Sequence, residues 1–214
     1  PYQTRLDPPP ADPRCGHPRK KLGVLAFGSL IKDPGPELSP RIAMRIQTPT
    51  PFPVEYGRIS STRGGAPTLV AHDDGSAVSA EILVLDDEVS PDDARDMLWR
   101  RERRRTCSGE KYTEGTSANS VLIREIGDSP CVSTVLYTDF SDAGKIGKPT
   151  PAELATHAIQ SVRKAEEGKD GISYLMNAIA CGIETPLTST YRDEILKQTR
   201  TTSLEEALRR AKGQ

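Results

Sequence analysis

The chain has 214 residues, 29 basic against 30 acidic side chains, a formal net charge of −1, and 28% charged and 35% hydrophobic residues. That length suits one sizeable domain with a single core, and the charge balance argues against a surface given over wholly to nucleic acid or membrane. No apolar run approaches the roughly 20 residues of a membrane-spanning helix. The cysteines, Cys15, Cys107, Cys131 and Cys181, lack the paired spacing of a zinc site and follow no signal peptide, so they read as reduced thiols of a cytoplasmic protein.

Residues 1–20 combine prolines and charges with almost no aliphatic side chains, too little burial to offset the entropy of ordering. They read as a disordered or extended tail ahead of a single domain over 21–214. "LGVLAF", from Leu22, predicts a short buried strand, residues 33–53 a proline-studded loop, and "YGRISS" a second, irregular strand. "PTLVAH" and "SAVSAEILVL" flank the turn residues "DDGS" and predict a β-hairpin. A helix follows: Ser90 as N-cap, Pro91 in the first turn and Asp92 and Asp93 beside it start a segment running to about Arg104. "SVLIREI" and "CVSTVLYTDF" predict another hairpin through "GDSP". The capping box Thr150-Pro151-Ala152-Glu153 starts a helix to about Glu167, where Gly168 stops it. "ISYLMNAIAC" reads as a mostly buried helix ended by Gly182, "TSTYRDEILKQT" as the next, and "SLEEALRRAK" as a last, exposed one. Strands around one long helix, then helices, is an α+β order with mainly antiparallel pairing.

Three features have chemical potential. On the helix from Pro91, Ala94, Met97 and Leu98 cluster on one side with Trp99 further round, and Glu102 falls between Leu98 and Trp99. Glu102 is also the sole acid inside "WRRERRR". Partial desolvation there would raise its pKa while Arg101 and Arg103 to Arg105 pull it down. It is either a general base on a cleft wall or a salt-bridged surface residue. In "VLAFGSLI", residues 24–31, a strand ending at Gly28 lets backbone approach a ligand and can turn the Ser29 and Leu30 N–H groups outward, though strands also end at glycine without chemistry. "RGGAP", residues 63–67, places an arginine before glycines, suited to gripping a carboxylate or simply to a loop. The scattered His17, His72 and His157 form neither a metal set nor a triad, and no phosphate-binding loop occurs. The run Arg100 to Arg105 lacks interleaved aromatics and reads as a solvated helix face with pairs to Asp96 and Glu102, contact with RNA being the other reading.

"VLAFGSLI" resembles the F-G-[YF]-G-S-L-I signature of the γ-glutamylcyclotransferase-like superfamily, particularly its ChaC-type, glutathione-specific branch. "YGRISSTRGGAP", residues 56–67, is similar to the R-x-F…S-x-x-R-G-x-x-x-x-P segment that follows there, and "MLWRRE", residues 97–102, to the Y-L-x-x-R-E element. The matches keep the family's order over roughly residues 22–112, with a softer likeness in "ISYLMNAI". The departures are Ala26 where a glycine often stands, Trp99 within the helix pattern, and "RRRTCSGEK" as an apparent insertion.

The resemblance implies a small, mixed, mainly antiparallel β-barrel-like sheet flanked by helices, with the glycine corner and the glutamate facing each other across a cavity. It implies conversion of a γ-glutamyl amide or peptide, glutathione among the candidates, to 5-oxoproline and a free amine or amino acid. Glu102 would be the catalytic acid/base, and Phe27, Gly28, Ser29, Leu30, Arg63 and Tyr112 would bind substrate. No cofactor, metal or covalent intermediate is implied, and the expected partner is the small-molecule substrate, with neither nucleic acid nor membrane. The competing reading is a protein of the same fold that binds a ligand or partner without catalysis.

Overall fold

A computed structural model describes residues 21–129 and 132–213, so the expected tail over residues 1–20 lies outside the described residues. The first strand, β1 (Leu22–Ala26), is buried along its whole length. Its side chains alternate, Leu22, Val24 and Ala26 entering one apolar cluster and Leu25 the cluster on the opposite face. A turn at Gly28 leads into a single-turn helix, α1 (Ser29–Lys32). The stretch expected to be loop over residues 33–53 instead contains β2 (Ile42–Pro49). This strand is partly exposed and polar, and its Arg45 and Gln47 both donate to Glu81 at 2.6 Å. Such a strand lacks the continuous apolar run that announces a buried one, and Pro49 at its end with the prolines on either side masks it further.

β3 (Val54–Ser60) and β4 (Ala66–Ala71) form an antiparallel pair of their own. The expected hairpin through "DDGS" is corrected here. A turn does form, with Gly75 N–H donating to the His72 carbonyl, but Ser76 then bridges to Val54 and the chain crosses to the other sheet. The next strand, β5 (Ser79–Leu85), pairs antiparallel with β1 on one side and β2 on the other, Leu83 opposite Val24 and Ile82 opposite Ile46. After β5 comes α2 (Pro91–Glu102), started as expected by the Ser90 side chain accepting from the Asp93 N–H. It ends at Glu102, because Arg103 departs from helical geometry and Arg104 is left-handed at φ 54°. β6 (Val121–Ser129) and β7 (Val132–Phe140) form the expected antiparallel hairpin, and β7 also runs parallel beside β1. The large sheet therefore has the order β2-β5-β1-β7-β6, and it is open, not a closed barrel.

The helical part comprises α3 (Pro151–Ser161), α4 (Gly171–Ala180), α5 (Thr188–Thr199) and α6 (Leu204–Lys212). α3 stops short of Glu167. The Ser161 hydroxyl bonds back to the Ala158 carbonyl and accepts the Gly171 N–H, and the chain leaves the helix through turns against the backbone of Gly64. α6 is less exposed than expected, with Leu204 and Ala207 buried among the helices.

α2 lays Ala94, Leu98 and Trp99 over one face of the large sheet against Val24, Leu83 and Leu136. Burying each such large side chain stabilises the fold by about 1.5–3 kcal/mol. The small sheet packs instead on the helices, through Val54, Tyr56 and Leu69 against Leu154, Leu175, Tyr191 and Ile195. Buried Glu55 fixes it there, accepting from the Thr185 hydroxyl at 2.6 Å and the Leu187 N–H at 3.1 Å. No described helix is long and apolar enough to cross a membrane.

Candidate active site

A cavity of about 630 Å³ is lined by the corner after β1, by β3 and β4 with the 3-10 turn between them, by the end of α2 and its following loop, by the end of β7, and by α4. At the corner, Gly28 adopts φ 63°, ψ −134°, a conformation that side chains oppose. A Cβ there would stand 2.6 Å from the Tyr174 hydroxyl oxygen. Phe27, Ser29 and Leu30 line the cavity, and Gly28 sits behind them against Tyr174. That tyrosine is buried on α4, and its hydroxyl accepts the Leu69 N–H at 3.3 Å, tying the corner to β4.

Glu102 occupies the last position of α2 and also lines the cavity, with 18% of its side chain exposed. It is paired with a neighbouring arginine, but away from bulk solvent. Arg101 Nη1 donates to Glu102 Oε1 at 2.6 Å, while Arg101 Nη2 donates to Ser29 Oγ at 3.3 Å and to the Asp33 carbonyl at 2.6 Å. One guanidinium therefore joins the carboxylate to the glycine-serine corner. Gly35 permits this, since a Cβ there would lie 3.0 Å from Arg101 Cγ.

Arg63 lines a third wall. Gly64 and Gly65 follow it with φ 64° and 87°, and this tight turn into β4 leaves the guanidinium 5.0 Å from the centroid of the Tyr174 ring. Burial pushes the tyrosine hydroxyl pKa up, and the Arg63 charge opposes that shift. Arg58, from β3, stands over the Phe140 ring at 4.0 Å. Burial pulls both guanidiniums down from the ordinary arginine value, while the Glu102 charge pushes both back up, so the two arginines and the carboxylate share one electrostatic environment.

Of the remaining arginines after Trp99, Arg100 departs from the expected solvated face, whereas Arg103, Arg104 and Arg105 are exposed, on the turn that follows the helix. Arg100 is buried, gripping Glu37 through Nε and Nη2 and the Glu110 carbonyl through Nη1. Arg103 stacks over Trp99 at 4.6 Å, Arg104 pairs with Glu166, and Arg105 with Glu110. Of the expected intrahelical pairs, the one to Glu102 forms, with Arg101, whereas Asp96 pairs with Lys111 and not with an arginine of the run. Counting Lys169, seven cationic side chains line the cavity against the carboxylates of Asp33, Glu102 and Glu166.

Tyr112 does not line this cavity. Its ring packs edge-on to Trp99 and its hydroxyl accepts the Ile123 N–H, which makes it a strut between α2 and β6. The residues that sequence reasoning did not single out are Arg58, Arg101 and Tyr174. All three lay within the quoted motifs "YGRISS", "MLWRRE" and "ISYLMNAI", but nothing local marks which side chain of a motif turns inward. Among the described residues no cluster of His, Cys, Asp or Glu is suited to a metal ion, and the described Cys107 and Cys181 are free thiols.

No protein-family model matches the chain, and no curated protein does. Among solved structures, the fold is similar to the crystal structure of a γ-glutamyl cyclotransferase specific to glutathione from yeast. The TM-score is 0.50 at 11% sequence identity, over 83% of this chain and 99% of that one. At that identity the likeness is one of fold, and it gives the α+β architecture its name, the γ-glutamylcyclotransferase-like fold.

Proposed function

We propose that this protein is a γ-glutamyl cyclotransferase, releasing 5-oxoproline and a free amine or amino acid from a γ-glutamyl amide or peptide, glutathione among them. The observation behind this reading is the arrangement of Glu102, withdrawn from bulk solvent on the cavity wall and joined through Arg101 to Ser29 at the Gly28 corner. The likeness of fold to the yeast enzyme supports it.

The reaction asks little else of a protein. The substrate's own α-amine attacks its γ-carbonyl, forming the ring C–N bond and breaking the bond to the leaving nitrogen. No enzyme nucleophile or added water is consumed, and tethering two well-oriented groups is equivalent to an effective molarity on the order of 10⁵ M or more. Proton traffic remains. The α-ammonium must lose a proton before attack and the leaving nitrogen must gain one, and the Glu102 carboxylate does both. Phe27, Gly28, Ser29 and Leu30 shape the seat of the glutamyl group, with Arg63 over Tyr174 as the cation for its α-carboxylate. Arg101 holds the Glu102 carboxylate in place and acts through it, as a positioning residue.

The test is incubation with glutathione and a panel of γ-glutamyl amino acids, followed by assay of 5-oxoproline. Wild type forms product on at least one member, and Glu102→Gln, isosteric and still able to accept from Arg101, lowers kcat about 10²- to 10⁴-fold with an unchanged circular dichroism spectrum. Wild-type inactivity across the panel, or an E102Q enzyme of normal kcat, overturns the mechanism. Tight binding of a γ-glutamyl compound without turnover would favour a ligand-binding protein of this fold.

A further inference from the structure

Several buried and half-buried cations among the described residues are paired with carboxylates. Arg100 has Glu37, Arg101 has Glu102, and Lys145 has Asp139 at 2.9 Å. Arg58 and Arg63 have no such carboxylate among the described residues, and of the two Arg63 donates to the Lys169 carbonyl at 3.4 Å. Arg58 differs in that its Nε is buried without a hydrogen-bond acceptor. Its close partner among the described residues is the Phe140 ring beneath it, a contact that orients the guanidinium plane but supplies no acceptor. A buried donor left unmet is costly, and a half-buried guanidinium with open donors is suited to a planar anion that accepts two bonds at once. The loss of solvation recorded in the lowered pKa of Arg58 points the same way.

Position supplies the rest. Arg63 is fixed over Tyr174, beside the Gly28 corner, whereas Arg58 is fixed over Phe140 at the end of β7. Glu102 is electrostatically coupled to both. A substrate with its glutamyl half on the corner and its scissile amide at Glu102 therefore extends its amine half toward Arg58.

We infer that Arg58, seated on Phe140, binds a carboxylate on the leaving fragment, so that the substrate is a γ-glutamyl amino acid or peptide with a free carboxylate and not a γ-glutamyl derivative of a simple amine. This rests on the cyclotransferase reading and narrows it. Arg58 is then the residue that discriminates between the two substrate classes.

The experiment compares γ-glutamylglycine with γ-glutamylglycinamide, which differ only in the terminal carboxylate, by 5-oxoproline formation and by calorimetric binding. Wild type prefers the free acid by about 10- to 100-fold in kcat/KM, as expected for a charge-assisted hydrogen-bonded pair. In Arg58→Gln that ratio collapses toward one, and Arg58→Lys restores part of it. A wild-type ratio near one, or a ratio unchanged in R58Q, overturns the inference while the cyclotransferase reading stands. Absence of 5-oxoproline from both compounds sinks the reaction. Binding then still decides the carboxylate site: a free-acid preference lost in R58Q upholds it, and equal or absent binding of the two compounds removes it.

Discussion

Gly28 shows how much can depend on a missing side chain. Its left-handed φ and the 2.6 Å approach of the Tyr174 hydroxyl to a notional Cβ act together, and that hydroxyl is itself committed to Leu69. Gly28→Ala is expected to cost about 1–3 kcal/mol, from backbone strain plus displacement of a buried ring, and to reduce turnover more than its loss of stability explains. Urea denaturation alongside the 5-oxoproline assay separates the two effects. The glycine was visible in the sequence, but its partner was not, since Tyr174 belongs to a helix that local pattern marked only as buried. Glu102 was conspicuous as one acid among arginines. Its link to Ser29 through Arg101 was not, because that contact spans 72 residues and no periodicity encodes it.

At the scale of elements, starts were legible and pairings were not. Ser90, Thr150 and Ser203 each cap a helix by accepting an N–H three residues on, a device written within four positions of sequence. Strand partners are chosen at long range, so "DDGS" correctly announced a turn and wrongly joined two strands of different sheets. The cap of α4 makes the dependence of site on element measurable. Asp170 is 2% exposed and accepts the Ser173 N–H at 2.8 Å and its hydroxyl at 2.7 Å. Asp170→Ala is expected to cost about 1–2 kcal/mol in thermal or urea unfolding and to lower kcat/KM as well, because α4 positions Tyr174 behind the Gly28 corner. Asp170→Asn, which keeps an acceptor, should recover most of both.

For the molecule as a whole, near-zero net charge hides a local excess that composition could not reveal, seven cations against three carboxylates on the cavity wall. The packing behind it is expected to be sensitive to acid. Hydrogen bonds from Arg100 hold the Glu37 carboxyl below the ordinary glutamate value against the upward pull of burial, and the Cys107 N–H adds to them. Burial likewise works upward on Asp96, but the bonds from Lys111 and the Tyr112 N–H outweigh it. A carboxylate whose folded pKa is depressed contributes stability that is complete above its unfolded value, 4.5 for Glu37, and lost as pH falls through the folded value. Glu37→Gln is therefore expected to cost about 1–3 kcal/mol at neutral pH and progressively less below about pH 4, so that the denaturation curves of variant and wild type converge in acid. A gap independent of pH would remove Glu37 as the source of acid sensitivity. β1 bears on how all of this comes into being. Gly23 pairs with Val84 and Leu22 with Thr134, so the first described strand to leave the ribosome finds its two neighbours among the later ones. Until then "LGVLA" is an apolar segment with both edges open, and closing such distant pairings is the slow step in folding of this kind. The corner proposed to seat the glutamyl group is thus among the earliest pieces of the candidate site to be synthesised and is expected to be among the last to acquire its shape.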